Sequence, residues 1–294
     1  MRDNNGIWTI GRILKWTENF FAQKGIESPR LDAEVLLAHV LGRQRIHLYV
    51  HFDEPLEEGE LSAYRELIKQ RVQRRPVAYL LGEKEFMGLR FKVSPAVLIP
   101  RPETEILVQA AVERLRKMQA ARFADIGTGS GAICLSVLEF VPEAVAETVD
   151  ISTEARAVAE ENAAALGLTE RITFHTGDLL APLEGKFSAL LSNPPYIPDA
   201  ELDGLQPEVR CSEPHLALAG GADGLDFYRR LCADGPALLT EDGFLAFEVG
   251  QGQAGAVAAL AQANPLIAGT EIIEDLAGLE RVVIAYRTVK ESRQ

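Results

Sequence analysis

The sequence predicts an α/β domain with a mostly parallel, seven-stranded sheet, preceded by a domain of α-helices. Two observations support this prediction. Within the first 80 residues, apolar residues recur at spacings of three and four, as they do along one face of an amphipathic helix. From about residue 106 onward, helical segments alternate with short apolar ones, which is the pattern of parallel strands covered by helices on both faces.

Size and composition agree with two globular domains. The chain has 294 residues, and a single core usually serves about 100–200 residues. Hydrophobic residues make up 47% of the chain and charged residues 25%, which is typical of a globular protein. We expect a helical domain over residues 1–82, a β-hairpin linker over 83–101 and the α/β domain over 102–290.

Local signals place the individual elements. Ser28-Pro29 is typical of a helix N-cap followed by proline at the first helical position, and Gly42 of a helix end. A third long helix fits Leu56 to Arg74, and the alternation around Met87-Gly88 predicts a β-hairpin. In the α/β domain we expect helices at 103–119, 130–140, 153–166, 224–239 and 252–263, and strands at 122–126, 145–150, 172–177, 187–192, 243–249, 270–275 and 280–287, the last two forming an antiparallel edge.

One side of the third helix is basic, and two interpretations of it stay open. Such a run of charge is usually a solvated face, and the alternative is a docking surface for an acidic partner. The residues concerned are Arg65, Lys69, Arg71, Arg74 and Arg75.

The net charge argues against a protein that holds a polyanion by bulk attraction. The chain has 43 acidic and 30 basic residues, a net charge of −13. Residues 1–82 contain 12 basic and 11 acidic residues, so residues 83–294, with 18 and 32, carry a net charge of −14. We therefore expect no direct nucleic-acid binding.

The cysteines predict neither disulfides nor a metal site, since Cys134, Cys211 and Cys232 form no CxxC pair. The residues from Met1 to Asn5 lack the apolar core of a signal peptide, and no apolar run of about 18 residues occurs. We expect a cytoplasmic monomer with free thiols, no bound metal and no membrane association.

A glycine-rich segment stands where the first strand of the sheet meets its helix, running from Asp125 through Gly127, Thr128, Gly129 and Ser130 to Gly131. Alternate glycines let the backbone turn tightly and bring a ligand close to the helix N-terminus, which favours an anionic group. Gly127, Gly129 and Ala132 also satisfy the relaxed dinucleotide fingerprint, so an NAD-binding enzyme remains an alternative.

Two aspartates follow the next strands. Asp150 ends the second strand, where a carboxylate can accept hydrogen bonds from both hydroxyl groups of an adenosine ribose. The alternative role for Asp150 is a helix N-cap, which Ser152 or Thr153 also supplies. Asp178 follows the third strand, where a side chain lies near the adenine edge, and Leu179 is available to cover the base.

The tetrapeptide Asn193-Pro194-Pro195-Tyr196 follows the fourth strand, at the edge of the sheet where ligands bind in open α/β folds. Its chemistry suits a planar nitrogen, which is a poor nucleophile until it is oriented. Asn193 Oδ1 and the Pro194 carbonyl oxygen can accept hydrogen bonds from the two N–H groups on such a nitrogen, and the Tyr196 ring can pack on the face of the planar group. A stiffened turn would explain the prolines but not the flanking asparagine and tyrosine.

Together these motifs resemble class I S-adenosylmethionine-dependent methyltransferases of the amino-methylating group. Dehydrogenases carry no such tetrapeptide at the fourth strand. The tetrapeptide is shared by enzymes that methylate adenine or cytosine amino groups, guanine amino groups in ribosomal RNA, and protein glutamine, so other residues must decide between them.

Further motifs over nearly the whole chain are similar to those of the HemK/PrmC family, the peptide chain release factor N5-glutamine methyltransferases. The most specific is Ile99-Pro100-Arg101-Pro102-Glu103-Thr104-Glu105. The others are Gly82-x-x-Glu85-Phe86-x-Gly88-x-x-Phe91, Glu208-Val209, Glu213-Pro214 and Gly220-Gly221-x-x-Gly224-Leu225.

The resemblance implies that the substrate is the glutamine of the Gly-Gly-Gln tripeptide in class 1 release factors and that S-adenosylmethionine, converted to S-adenosylhomocysteine, is the cofactor. It implies that Gly127 to Gly131 and Asp150 hold the cofactor and that Asn193 to Tyr196 hold the glutamine. We further expect Asp178, Leu179 and Asn193 at the cofactor, catalytic roles for Asn193, Pro194 and Tyr196, and a helical domain that grips the release factor.

Two other functions stay open. An amino-methyltransferase acting on a nucleic-acid base shares the glycine loop and the tetrapeptide, although a net charge of −14 over residues 83–294 would repel phosphate. A non-catalytic S-adenosylmethionine-binding adaptor would have no need to orient an amide.

Overall fold

The computed structural model describes residues 7–287, which form two compact units. One unit extends up to Gly82 and also contains Pro207–Ser212, and the other comprises Glu83–Gln206 and the chain from Glu213 onward. The sequence placed residues 207–212 in the α/β domain, whereas the structure places them with the helices. Residues 1–6 and 288–290 of the expected domains lie outside the described residues.

The helical unit contains α1 to α5 of the chain. Helix α2 has the boundaries that the sequence predicts, with Ser28 at the N-cap position but without a side-chain cap hydrogen bond, Pro29 at the first position, and Gly42 at φ 61° ending the helix. Its core contains Ile13, Phe21, Leu36 and Tyr64, each fully buried. The helices are α1 (Ile10–Gln23), α2 (Pro29–Leu41), α3 (Arg45–Val50), α4 (Glu58–Val72) and α5 (Val77–Leu81).

Two of the five basic residues, Arg71 on α4 and Arg74 just beyond it, are engaged within the helical unit. Arg71 is only 6% exposed, and its guanidinium bonds Asp32 at 2.7 Å and Glu208 at 3.0 Å. Arg74 bonds Glu208 at 3.2 Å and the carbonyl oxygens of Lys24 and Gly25. Neither interpretation of the stripe therefore holds for Arg71, which is a buried structural residue rather than part of a solvated or docking face.

The predicted β-hairpin is present, but it belongs to the α/β unit instead of forming a separate linker, and the unit continues as the predicted alternation of strands and helices. Its strands are β1 (Glu83–Phe86), β2 (Leu89–Lys92), β3 (Arg122–Ile126), β4 (Val145–Asp150), β5 (Ile172–Thr176), β6 (Phe187–Ser192), β7 (Leu239–Glu248), β8 (Ile267–Glu274) and β9 (Glu280–Arg287). The remaining helices are α6 (Thr104–Leu115), α7 (Ala132–Phe140), α8 (Thr153–Leu166), α9 (Pro207–Ser212, in the helical unit), α10 (Asp226–Leu238) and α11 (Ala254–Gln262).

The predicted seven-stranded sheet is confirmed, with the order β5-β4-β3-β6-β7-β9-β8. Strands β3 to β7 run parallel, and β9 is antiparallel to both β7 and β8. Strand β7 begins at Leu239 rather than at residue 243, because the buried Leu239 pairs with Phe187 before a register shift. In the part of the chain that the structure describes, no helix has the length and apolar character needed to cross a membrane.

The register of the parallel strands aligns the loops that follow them. Ile126 lies opposite Val149 and Ser192, and Ser192 lies opposite Phe247. Neighbouring strands are about 4.8 Å apart, so the next residue of each strand lies in one row at the carboxyl edge. These residues are Gly127, Asp150, Asn193 and Glu248.

We expect Arg71→Met to lower the free energy of unfolding by about 3–5 kcal/mol, because it leaves the Asp32 carboxylate buried without its cation. Urea unfolding followed by circular dichroism measures the loss. Lys69→Met is the matched control on the same helix, since the ion pair of Lys69 with Glu66 is exposed and such pairs contribute about 0–1 kcal/mol. Equal losses in the two variants would contradict the structural role of Arg71.

Candidate functional site

A cavity of about 260 Å³ opens at the carboxyl edge of the parallel strands. It lies entirely within the α/β unit and is bounded by the loops after β3, β4, β5 and β6 and by the segments 96–104 and 214–217. The structure thus brings most of the predicted site residues together. Those that line the cavity are Gly127, Thr128, Gly129, Ser130, Asp150, Asp178, Leu179, Asn193, Pro194 and Pro195.

The glycine loop has the left-handed backbone that its sequence predicts, with φ of 82° at Gly127, 55° at Gly129 and 80° at Gly131. Gly131 is not among the residues that line the cavity. A Cβ atom there would lie 2.9 Å from a methyl group of Leu135, so this glycine permits the close packing of α7.

Asp150 is tied to the glycine loop by its carboxylate. Oδ2 accepts from the Gly129 N–H at 2.8 Å, and Oδ1 accepts from the Ser152 N–H at 2.9 Å. A carboxylate offers about four acceptor positions, so these two bonds orient the group and leave capacity for a ligand. Ser152, not Asp150, caps α8, accepting from the Ala155 N–H at 3.1 Å.

Asp178 and Leu179 form the third part of the wall. The Asp178 carboxylate bonds Arg230 at 2.6 Å, and this contact lowers the pKa of Asp178 below its ordinary range. Leu179 has a φ of 50°, a left-handed conformation that costs a non-glycine residue about 1–2 kcal/mol. Backbone strain of this kind concentrates at functional sites.

The tetrapeptide is pressed against a second glycine segment. A Cβ atom on Gly220 would lie 2.8 Å from the Pro195 carbonyl oxygen, and one on Gly224 would lie 2.2 Å from that of Tyr196. The Tyr196 carbonyl oxygen also accepts from Gln253 Nε2 at 2.9 Å. Only glycine permits this close approach, which accounts for Gly220 and Gly224 of the motif.

Tyr196 differs from its expected placement. It is not among the residues that line the cavity, and its ring packs against the apolar core beside Gly250. Burial is the largest cause that raises the pKa of Tyr196 to about 12. In this structure the ring therefore holds the tetrapeptide in place, whereas Asn193 and Pro194 face the cavity.

Two polar residues behind Asn193 were not predicted. Thr104 begins α6 and donates to Glu248 Oε2 at 2.5 Å, and Asn193 Nδ2 donates to Thr104 Oγ1 at 3.3 Å. Glu248 is only 3% exposed, and burial raises its pKa to about 7. Glu248 could have been found from the sequence, because it is a charged residue at the end of the otherwise apolar strand β7.

The rim of the cavity combines an ion pair with exposed apolar side chains. Arg101 Nη2 bonds Glu213 Oε1 at 2.5 Å, which joins the Ile-Pro-Arg-Pro motif to the Glu-Pro motif. Ile151 is 62% exposed and Leu216 is 70% exposed, although both are apolar. Exposed apolar groups at a cavity rim suit a ligand with a flat apolar part.

The helical unit brings three potential metal ligands together. Glu54 Oε2 lies 3.5 Å from His47 Nε2 and 3.2 Å from His51 Nδ1, and the three groups lie within 4.8 Å of one another. Hydrogen bonds between the carboxylate and the imidazole rings give such distances without a metal ion.

Both units match known protein families. Residues 12–82 match the family model of the PrmC N-terminal domain, and residues 102–209 match that of the methyltransferase small domain. The chain is 47% identical to the release factor glutamine methyltransferase of Moorella thermoacetica over 95% of this chain and 99% of the relative. It is 46% identical to that of Geobacter sulfurreducens over 86% and 88% of the two chains.

Solved structures show the same fold at low identity. A methyltransferase from Pyrococcus furiosus has a TM-score of 0.54 at 15% identity, covering 75% of this chain and all of the other. The hMettl16 catalytic domain has a TM-score of 0.56 at 15% identity, covering 70% of this chain and 77% of the other.

The sheet order, the cavity at its carboxyl edge and these similarities define a class I methyltransferase, and the chain is an enzyme of that class. Within the class, it belongs to the family of release factor glutamine methyltransferases. The family resemblance that the motifs indicated is confirmed.

A fully buried carboxyl group beneath the glycine loop gives stability a pH dependence. Burial is the largest cause that raises the pKa of Asp125 to about 8 from an ordinary 3.8. The folded protein therefore holds a proton that the unfolded chain has lost, and stability falls as the pH rises through this interval. We expect Asp125→Asn to remove this loss, which amounts to as much as about 1.4 kcal/mol per pH unit.

Thermal unfolding at pH 6 and pH 9 measures the effect. The melting temperature of Asp125→Asn minus that of the unsubstituted protein should be larger at pH 9 than at pH 6. Asp53→Asn makes the same charge change at an exposed position and should show no such trend. A constant difference for Asp125→Asn would show that Asp125 titrates normally.

Proposed function

We propose that this enzyme transfers the methyl group of S-adenosylmethionine to the N5 atom of the glutamine in the Gly-Gly-Gln tripeptide of class 1 peptide chain release factors. The observation that carries the proposal is that Asn193 and Pro194 line the same cavity as Asp150 and the glycine loop. One cavity therefore offers acceptors for an amide beside a carboxylate placed for a nucleoside. The named relatives support the choice of substrate.

The residues present fit the cofactor. The Asp150 carboxylate is held by two backbone N–H groups and keeps acceptor positions for the two ribose hydroxyls. Ile151 and Leu179 offer apolar contact for the base, and Asp178 offers a carboxylate for its amino group. When bound, S-adenosylmethionine supplies an electrophilic methyl group on a positively charged sulfur.

The chain holds the amide for a single in-line displacement. Asn193 Oδ1 and the Pro194 carbonyl oxygen each accept a hydrogen bond from one N–H group of the glutamine amide. These two hydrogen bonds orient the nitrogen lone pair toward the methyl group. The nitrogen–carbon bond forms as the carbon–sulfur bond breaks, and the same two acceptors stabilise the positive charge that develops on nitrogen. The proton leaves with or after the transfer. Positioning of this kind contributes about 7–11 kcal/mol.

The charge distribution supports this substrate class. The net charge of −14 over residues 83–294 suits a neutral amide and a cationic cofactor, and it opposes direct nucleic-acid binding. In this proposal the helical unit grips the release factor, Tyr196 braces the tetrapeptide, and the protein acts as a cytoplasmic monomer in translation termination.

The deciding experiment is incubation with labelled S-adenosylmethionine and a purified class 1 release factor, followed by mass mapping. We expect a single methyl group on the glutamine of the Gly-Gly-Gln peptide. Added ribosomal RNA serves as a competing acceptor. Label on RNA, or label absent from that peptide, would overturn the substrate assignment.

Asn193→Ala separates catalysis from cofactor binding. We expect kcat to fall about 100-fold or more, because an amide acceptor aimed at developing charge is worth that much in comparable sites. The affinity for S-adenosylmethionine, measured by calorimetry, should stay within about threefold. Asp150→Ala should show the opposite pattern, with cofactor affinity reduced about 10-fold or more through loss of charged hydrogen bonds. Full activity of Asn193→Ala would contradict the mechanism.

A further inference from the structure

A row of three hydrogen-bonded side chains connects β7 with the tetrapeptide. Thr104 donates to Glu248 Oε2 at 2.5 Å, and Asn193 donates through Nδ2 to Thr104 Oγ1 at 3.3 Å. Thr104 and Asn193 line the cavity, whereas Glu248 is buried and is not among its lining residues. Any influence of Glu248 on a bound ligand therefore passes through Thr104 and Asn193.

The chemistry of the three groups gives the row a direction. An ionised carboxylate only accepts hydrogen bonds, so Thr104 must give its single hydroxyl proton to Glu248. The Thr104 oxygen then has only lone pairs left for Asn193. Asn193 must consequently turn its NH₂ group toward Thr104, and its Oδ1 atom is left to accept a hydrogen bond from a ligand.

We propose that Glu248, acting through Thr104, is a positioning residue that orients the Asn193 amide with Oδ1 toward the substrate nitrogen. The proposal rests on the proposed function for the identity of the substrate. The orientation itself is a property of the free protein and is measurable without turnover.

The surroundings of Glu248 decide when the row has this direction. Burial is the largest cause that raises its pKa to about 7; hydrogen bonding by Thr104 and Asn193 and the charge of Arg281 favour the charged form, and Glu103 opposes it. Above this pH, Glu248 is ionised and the direction is enforced. Below it, the protonated carboxyl group itself donates to Thr104, and Asn193 is free to flip. The groups that face Glu248 are Glu103 and Thr104 at the start of α6, Arg281 of β9, Tyr228 of α10, and Asn193 and Tyr196 after β6.

The orientation is tested in the free protein by nuclear magnetic resonance. The chain has six asparagines, so labelling asparagine with ¹⁵N gives few side-chain amide signals, and loss of one signal pair in Asn193→Asp assigns Asn193. We expect this signal to shift in one step with a midpoint near pH 7, and the step to vanish in Glu248→Gln. Absence of the step, or its persistence in Glu248→Gln, would overturn the proposal.

Tyr228→Phe is the matched control for a disturbance at the same residue. It removes the 2.7 Å bond from the Tyr228 hydroxyl to the Glu248 backbone carbonyl but leaves the carboxylate in place. The step near pH 7 should therefore remain in Tyr228→Phe. Its loss there would show that the signal reports general packing, which would contradict a specific role for the carboxylate.

Methyl transfer to the release factor supplies the second readout. In the unsubstituted enzyme kcat should fall below pH 7 and level off 10- to 100-fold below its value at pH 8. Glu248→Gln and Thr104→Val should lower kcat at pH 8 by 10- to 100-fold, abolish this acidic limb and keep cofactor affinity within threefold. Thr104→Ser, which keeps the hydroxyl, should restore kcat to within threefold and restore the limb.

The outcomes separate this proposal from the proposed function. An inactive unsubstituted enzyme would overturn the assigned substrate, and the nuclear magnetic resonance titration would still decide the orientation. An active enzyme whose Glu248→Gln variant keeps both kcat and the acidic limb would overturn the positioning role alone. Equal losses in Thr104→Ser and Thr104→Val would overturn it as well.

Discussion

The register of four parallel strands is the constraint on which the rest of the site depends. Because β3, β4, β6 and β7 pair in phase, the residues at their carboxyl ends stand in one row at a spacing of about 4.8 Å. Gly127, Asp150, Asn193 and Glu248 are spread over more than 100 residues of chain, yet they lie on adjacent strands of the sheet. A slip of one residue in any pair would turn one of these side chains to the wrong face.

Hydrogen bonds then convert this row into a site. Asp150 ties the second loop to the first through the Gly129 N–H, and Thr104 ties α6 to β7 and to the tetrapeptide. Gly220 and Gly224 let a distant segment press on the backbone of Tyr196. Buried polar groups of this kind are costly when unpaired, so the network that holds the acceptors also stabilises the fold around them.

Charge has different uses in the two units. In the helical unit, the buried Arg71 forms ion pairs with Asp32 and Glu208. In the α/β unit, Asp125 and Glu248 are buried carboxyl groups whose pKa values are raised to about 8 and about 7, close to neutral pH. Net charge by itself therefore indicates which partners are disfavoured, whereas the chemistry depends on where individual charges are buried.

The alternating strands and helices, the glycine loop and the tetrapeptide could be predicted from the amino-acid sequence, because they follow from local periodicity and from residues with special backbone preferences. Which side chains meet could be read only from the three-dimensional fold. The burial of Arg71, the turn of the Tyr196 ring away from the cavity, and the contact of Thr104 and Glu248 with Asn193 join residues far apart in the chain. Such contacts depend on strand register and packing, which no local pattern encodes.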